Sequence, residues 1–99
     1  MESEAIAQAY ASLTMHEFVL EALMANWLAG MAPADANRFL EQFQDRMTRP
    51  WIPSDSAVEE SVAKRIIVDA ATLGDRFAEK VRQREAEIRE ELARRARRP

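Results

Sequence analysis

The feature that most constrains this chain is a helical pattern from about Ser56 to Arg97 that only Gly74 interrupts. Ser56 and Glu59 have the spacing of a capping box, so the pattern predicts a long helix over residues 56–97. Large apolar residues recur along it at steps of four and three, which predicts one apolar stripe. The stripe contains Val62, Ile66, Ala70, Leu73, Phe77, Val81, Ile88 and Leu92.

Gly74 leaves two interpretations open. Glycine commonly ends a helix, and Asp75 could cap the helix that follows, so a break at residue 74 is one expectation. Alternatively, the small residues Ala70, Ala71 and Gly74 allow another helix to approach closely.

The length of the last helix predicts a partner. At about 1.5 Å per residue, residues 56–97 span about 60 Å, whereas a compact domain of this size has a radius of gyration of about 13 Å. We expect the first half, with Ile66 and Phe77, to close a core, and the second half, with Ile88 and Leu92, to overhang and pair with another helix. Twofold dimers are the commonest assemblies, so we expect a homodimer. A different protein partner and a solvated arm are the alternatives.

Two shorter helices are predicted before residue 31. Ile6, Tyr10 and Leu13 have helical spacing, which predicts a short helix over residues 3–13. Thr14 and Glu17 then have the spacing of a capping box, which predicts a new helix over residues 14–30. Gly30, in the left-handed conformation, is expected to end it.

The predicted helix at residues 14–30 is apolar on most sides, since only Glu17, Glu21 and Asn26 form a polar strip. We expect this strip to face solvent and the remaining sides to be covered by other elements. Its apolar residues are Met15, Phe18, Val19, Leu20, Leu23, Met24, Trp27, Leu28 and Met31.

The remaining segments complete an all-α protein. Pro33 suits the first turn of a helix over residues 33–48, and two prolines predict a loop over residues 49–55. We therefore expect one all-α domain over residues 1–99, a small bundle of three to four helices.

The composition argues against catalysis, against metal or cofactor binding and against dedicated nucleic-acid binding. His16 is the only histidine, there is no cysteine and no glycine-rich loop, so we expect no enzyme, metal or cofactor. The net charge of −3 makes nucleic acid an unfavourable partner.

Apolar stretches are too short for a membrane span and no signal-peptide pattern begins the chain, so we expect a soluble, cytoplasmic protein. The alanine and arginine usage suggests a bacterial or phage origin.

Two groups of residues are candidates for binding. The candidate interface consists of apolar and aromatic residues, namely Trp27, Trp51, Ile52, Phe77, Val81, Ile88 and Leu92. Trp51 and Ile52, held between two prolines, could anchor a partner or fold back over the bundle. The candidate anion contact consists of Arg94, Arg95, Arg97 and Arg98. These arginines could equally complement the helix dipole.

These patterns favour a non-catalytic helical interaction module, such as a small adaptor, a regulatory subunit, a chaperone-like protein or a phage structural protein, acting as a homodimer. The alternative is an accessory protein that contacts nucleic acid or another anionic surface through the C-terminal arginines.

Overall fold

The computed structural model describes residues 2–49 and 59–98, and in these ranges the chain is all-helical, with three helices and no strand. Helix α1 spans Glu2–Ala29, α2 spans Pro33–Met47 and α3 spans Glu60–Ala96. The all-α prediction is confirmed. The predicted loop from residue 50 onward, with Trp51 and Ile52, and the predicted helix start at Ser56 lie outside the described residues.

Helix α1 is continuous, so the predicted boundary at Thr14 is wrong. Thr14 Oγ1 donates a hydrogen bond to the Tyr10 carbonyl oxygen at 2.8 Å. A threonine inside a helix makes this bond to the residue four positions earlier, so its hydroxyl needs no helix start. The alanines around it favour uninterrupted helix.

The end of α1 is held by an arginine from α3. Gly30 does not adopt the left-handed conformation that was predicted for it. Instead, Arg89 donates hydrogen bonds to the carbonyl oxygens of Leu28, at 2.9 Å, and Met31, at 3.0 Å. Glu85 accepts a hydrogen bond from Arg89 Nε at 2.7 Å and so orients the guanidinium. The Met31 carbonyl gains a partner in this way, and the Leu28 carbonyl, which already accepts a hydrogen bond from the Met31 amide, gains a second one.

Helices α1 and α3 run parallel, and α2 runs antiparallel to both. Along α1 and α3, Glu17 pairs with Lys80 and the Leu28 carbonyl with Arg89, so both chains advance in the same direction. Along α2, the last residue, Met47, lies beside Gly74. The turn between α1 and α2 is short, so these two helices form a hairpin.

The core lies at the carboxyl end of α1 and the middle of α3, where α2 packs against both. Its fully buried hydrophobic residues are few, and three of them are alanines: Ala25, Leu28, Ala36, Leu40, Ala78 and Val81. Two aromatic contacts flank it. The rings of Trp27 and Phe39 meet edge to face with centroids 5.0 Å apart, and those of Phe43 and Phe77 lie 5.6 Å apart.

The division of α3 differs in part from the prediction, because the middle of the helix supplies the core: Ala78 and Val81 are buried there and Phe77 packs against them, as predicted for Phe77. The second half supplies Val81 to the core and packs Ile88 against it. The first half leaves its large apolar residues exposed, namely Val62, Ile66, Ile67, Val68 and Leu73. Periodicity identifies the stripe but not the element that covers it, and the contacts with the rest of the chain run from Gly74 to Arg89, not over residues 60–73.

Gly74 lies inside α3, which has no break there. It is buried, and a Cβ placed on it would lie 2.7 Å from Met47 Cβ and 2.8 Å from Met47 Cγ. The alternative interpretation is therefore correct: Gly74 allows another helix, α2, to approach closely.

We predict that Gly74→Ala destabilises the protein although alanine favours helix. The new methyl group has to displace the backbone-anchored Cβ of Met47, and overpacking of this kind costs more than the gain in helix propensity, a net loss of about 1–2 kcal/mol. Thermal and denaturant unfolding measure the change.

Gly30→Ala is the matched control, because its Cβ would meet only the Trp27 carbonyl oxygen at 3.4 Å. It should change the free energy of unfolding by no more than about 0.5 kcal/mol. Met47→Gly should reduce the cost of Gly74→Ala. Equal effects at both glycines would show that the contact with Met47 is not the cause.

Candidate interaction surface

The amino-terminal parts of two helices carry the most exposed apolar surface. We call residues 2–20 of α1 and 60–73 of α3 the N-terminal segments. Every residue of the first is exposed, and in the second only Ala63, Ala70 and Ala71 are even partly buried. The two segments therefore do not pack closely on one another. Each presents large apolar side chains to solvent.

A seven-residue repeat organises the exposed face of α1. Ile6, Leu13, Leu20 and Trp27 are spaced seven residues apart, and each is between 54% and 66% exposed. Three further residues, Ala9, His16 and Leu23, repeat at the same interval between them. We call these seven residues the α1 seam. Apolar residues at alternating steps of three and four are the pattern by which helices pair in coiled coils.

The sequence prediction missed the α1 seam because it divided the helix at Thr14. Each half then contained too few repeats for the spacing to be visible. The signal was nevertheless present, since Ile6, Leu13, Leu20 and Trp27 show it without any structural information.

The exposed faces of α1 and α3 form one surface. A groove between the helices is lined by four residues of each, namely Leu13, His16, Glu17 and Leu20 of α1 and Leu73, Arg76, Phe77 and Lys80 of α3. A second groove, along α3, includes Val62, Ile66 and again Leu73. Because Leu73 lines both grooves, the apolar residues of α3 continue into those of α1.

One residue of the polar strip of α1, Glu21, is turned inward, whereas Glu17 and Asn26 are exposed. Glu21 is only 5% exposed, and its carboxylate lies 3.3 Å from Arg84 Nε and 3.7 Å from Lys80 Nζ. Lys80 also pairs with Glu17 at 3.1 Å. The expectation that Glu21 faces solvent is wrong, because two cations of α3 stabilise the carboxylate where it is buried. The consequence is that Leu20 and Leu23 remain exposed.

The predicted interface residues divide into buried and exposed positions. Val81 is fully buried within the chain, so it belongs to the core and not to an interface. Phe77 and Ile88 are half-buried and pack against the core. Trp27 and Leu92 are exposed and stay candidates.

The C-terminal arginines are partly neutralised by the helix that carries them. Arg94 Nη2 lies 2.7 Å and Arg95 Nε 3.2 Å from the carboxylate oxygens of Glu91. Arg97 and Arg98 follow at the exposed end of α3. The pairing with Glu91 lowers the local positive charge that an anionic surface would meet.

The shape of the chain leaves an unusual area exposed. The radius of gyration is 17.6 Å and the extents are 62 × 36 × 16 Å, whereas about 13 Å is typical for a compact chain of this length. The accessible surface is 7903 Å², about 2,000 Å² above the roughly 5,700 Å² typical of a compact monomer of this mass.

Within residues 2–49 and 59–98, no group of three or more histidine, aspartate and glutamate side chains is placed to hold a metal ion. None of the helices in this part of the chain is both long enough and apolar enough to cross a membrane.

No protein-family model, no curated protein and no solved structure matches the chain.

We predict that Glu21→Ala lowers the free energy of unfolding by about 1–3 kcal/mol, because it leaves Arg84 and Lys80 without their buried partner. Glu17→Ala is the matched control. Glu17 pairs with the same Lys80, but its side chain is 46% exposed, so the loss should stay below about 1 kcal/mol. Chemical unfolding of both variants tests this, and equal losses would contradict the role of burial.

Proposed function

We propose that this protein is a non-catalytic helical interaction module that acts as a homodimer. In the dimer, the N-terminal segments of two copies cover each other's apolar faces and complete a helical bundle. The observation that carries the proposal is the continuous exposed surface formed by the α1 seam and by Val62, Ile66 and Leu73 of α3.

Dimerisation would remove large apolar side chains from water. Burial of one large aliphatic side chain is favourable by about 1.5–3 kcal/mol. Ile6, Leu13, Leu20, Ile66 and Leu73 are all exposed. Soluble monomers rarely expose contiguous apolar patches larger than a few hundred Å², and larger ones mark sites of association. A second layer of helices over this surface supplies the missing burial.

The excess accessible surface of the chain is large enough for a dimer interface. Obligate homodimers bury about 2,000 Å² or more in total. An interface that removed even half of the excess surface from each copy would reach this size. The α1 seam also suits a second copy, because the same repeat on both partners makes a self-complementary twofold interface.

The biological roles that fit are those in which assembly is itself the activity: a small adaptor, a regulatory subunit, a chaperone-like protein or a phage structural component. The outer residues of α2, among them Arg38, Glu41 and Asp45, are exposed. They stay accessible when the N-terminal segments are covered, so a dimer presents two copies of this polar face to further partners.

We predict that the wild-type protein is a dimer at micromolar concentration and that Leu20→Glu raises the dimer dissociation constant by at least about 100-fold. A twofold interface contains each substitution twice, and each buries a charge in place of about 1.5–3 kcal/mol of apolar contact. Sedimentation equilibrium and light scattering over a concentration series measure the constant.

The matched control is Ala11→Glu. Ala11 is also exposed, and at about 100° per residue it lies on the side of α1 opposite to Leu20. It should leave the dissociation constant within about threefold of the wild-type value. Circular dichroism verifies that both variants are helical. A wild-type monomer at every concentration, or equal dimerisation of Leu20→Glu, would refute the proposal.

A further inference from the structure

We infer that folding and dimerisation are coupled in this protein, because residues 60–73, the first half of α3, form a stable helix only when the second copy covers them. In the separate chain this segment frays as far as Gly74, whereas α1 stays helical. The inference rests on the proposed homodimer and adds to it a conformational change that sets the affinity of the dimer.

Residues 60–73 are not packed within their own chain. Each large apolar side chain in this segment is between 39% and 60% exposed, and its three partly buried residues are alanines. Helix α3 is attached to the other helices from Gly74 onward: Gly74 lies against Met47, and Asp75 accepts a hydrogen bond from Gln44 at 3.1 Å. Most helices in proteins owe their stability to packing of this kind. The segment therefore depends on its own helix propensity and on the second copy.

The sequence of this segment favours helix only weakly. Five of its fourteen residues are β-branched, namely Val62, Ile66, Ile67, Val68 and Thr72. Such side chains lose rotamer freedom in a helix, which makes them poorer helix formers. The segment has two exposed ion pairs, Glu60 with Lys64 and Arg65 with Asp69. Exposed pairs one turn apart add little stability, so they do not replace the missing packing.

Gly74 separates the segment from the part of α3 that is held in the core. An existing helix grows by adding residues at its end, so residues 60–73 have to be added beyond this glycine. Among the common residues, only proline is less favourable than glycine inside a helix. An added Cβ would lie 2.7 Å from Met47 Cβ, so the close approach of α2 requires glycine here. The weakest point of the helix is thus at the boundary between its packed and unpacked parts.

The N-terminal segment of α1 has a stronger helix propensity. It contains four alanines between residues 5 and 11 and no glycine, and alanine is the best helix former. It continues without a glycine into Glu21, Ala25 and Leu28, which are buried against the other helices. The α1 seam is therefore formed before the second copy arrives.

The affinity of the dimer then includes the ordering of residues 60–73. A segment that folds on binding reduces the affinity by the free energy needed to order it. A change that stabilises this segment as a helix consequently tightens the dimer, even at a position that the second copy never touches.

Hydrogen exchange measured by mass spectrometry tests the coupling segment by segment. Wild-type protein well above its dimer dissociation constant is compared with diluted wild-type protein and with the variant Leu20→Glu. We expect the amides of residues 64–73 to exchange at least about 30-fold faster in the monomer, because the segment opens locally. The amides of residues 78–89, and those of residues 8–18 in α1, should keep most of their protection.

Equal protection of residues 64–73 in the dimer and in the monomer would overturn the inference, while the homodimer would stand. Loss of protection along the whole of α1 and α3 would also overturn it, since the entire fold would then depend on the dimer. Wild-type protein that is monomeric at every concentration would overturn the proposed function as well.

Substitution of Val68 tests whether helix propensity sets the affinity. Val68 is 60% exposed, and at about 100° per residue it lies on the side of α3 away from Ile66 and Leu73. We expect Val68→Ala to lower the dissociation constant about three- to tenfold, because alanine stabilises the helix and each dimer contains the change twice. Val68→Gly should raise it at least about threefold. Sedimentation equilibrium measures both constants.

Glu79 provides the matched control. It is also exposed, and it lies eleven residues later, which places it on the same side of α3. Its part of the helix is formed in the monomer too, so Glu79→Ala and Glu79→Gly should have dissociation constants within about twofold of each other. Equal constants for Val68→Ala and Val68→Gly would contradict the coupling. A weaker dimer for both would show that Val68 contacts the second copy, and it would overturn the inference too.

Discussion

The ion pairs of Glu21 determine which side of α1 faces α3. Arg84 and Lys80 hold this carboxylate in the contact between the helices, and Ala25 and Leu28 follow it as buried residues on the same side of α1. The α1 seam is consequently left outside the core. The elongated shape and the large exposed area follow from this orientation, because α2 packs against the carboxyl-terminal part of α1 and against α3 from Gly74 onward.

The positions of the helices could be predicted from sequence because periodicity and proline placement act locally. Pro33 begins α2 as its fixed backbone angle suggests. The error at Thr14 has an equally local cause. A hydroxyl that can cap a helix can also bond to the carbonyl one turn earlier, so the same residues fit both structures.

The candidate site was harder to predict because it depends on contacts between distant residues. A stripe such as Ile66 to Leu92 shows that one face of α3 is apolar, but not which half finds a neighbour. The hydrogen bonds of Arg89 and the fit of Met47 against Gly74 make that choice. Glu21 was placed in solvent for the same reason, since its partners are far along the chain.

The bond between Arg89 and the turn after α1 has a consequence for sequence variation. Arg89 recognises carbonyl oxygens, which every amino acid provides, and not the side chains at Ala29, Gly30 or Met31. The joint therefore depends on the path of the backbone. Homologous chains could therefore change Gly30 and keep this bond, provided that an arginine is retained at this position of α3, whereas Met31 also packs against the core.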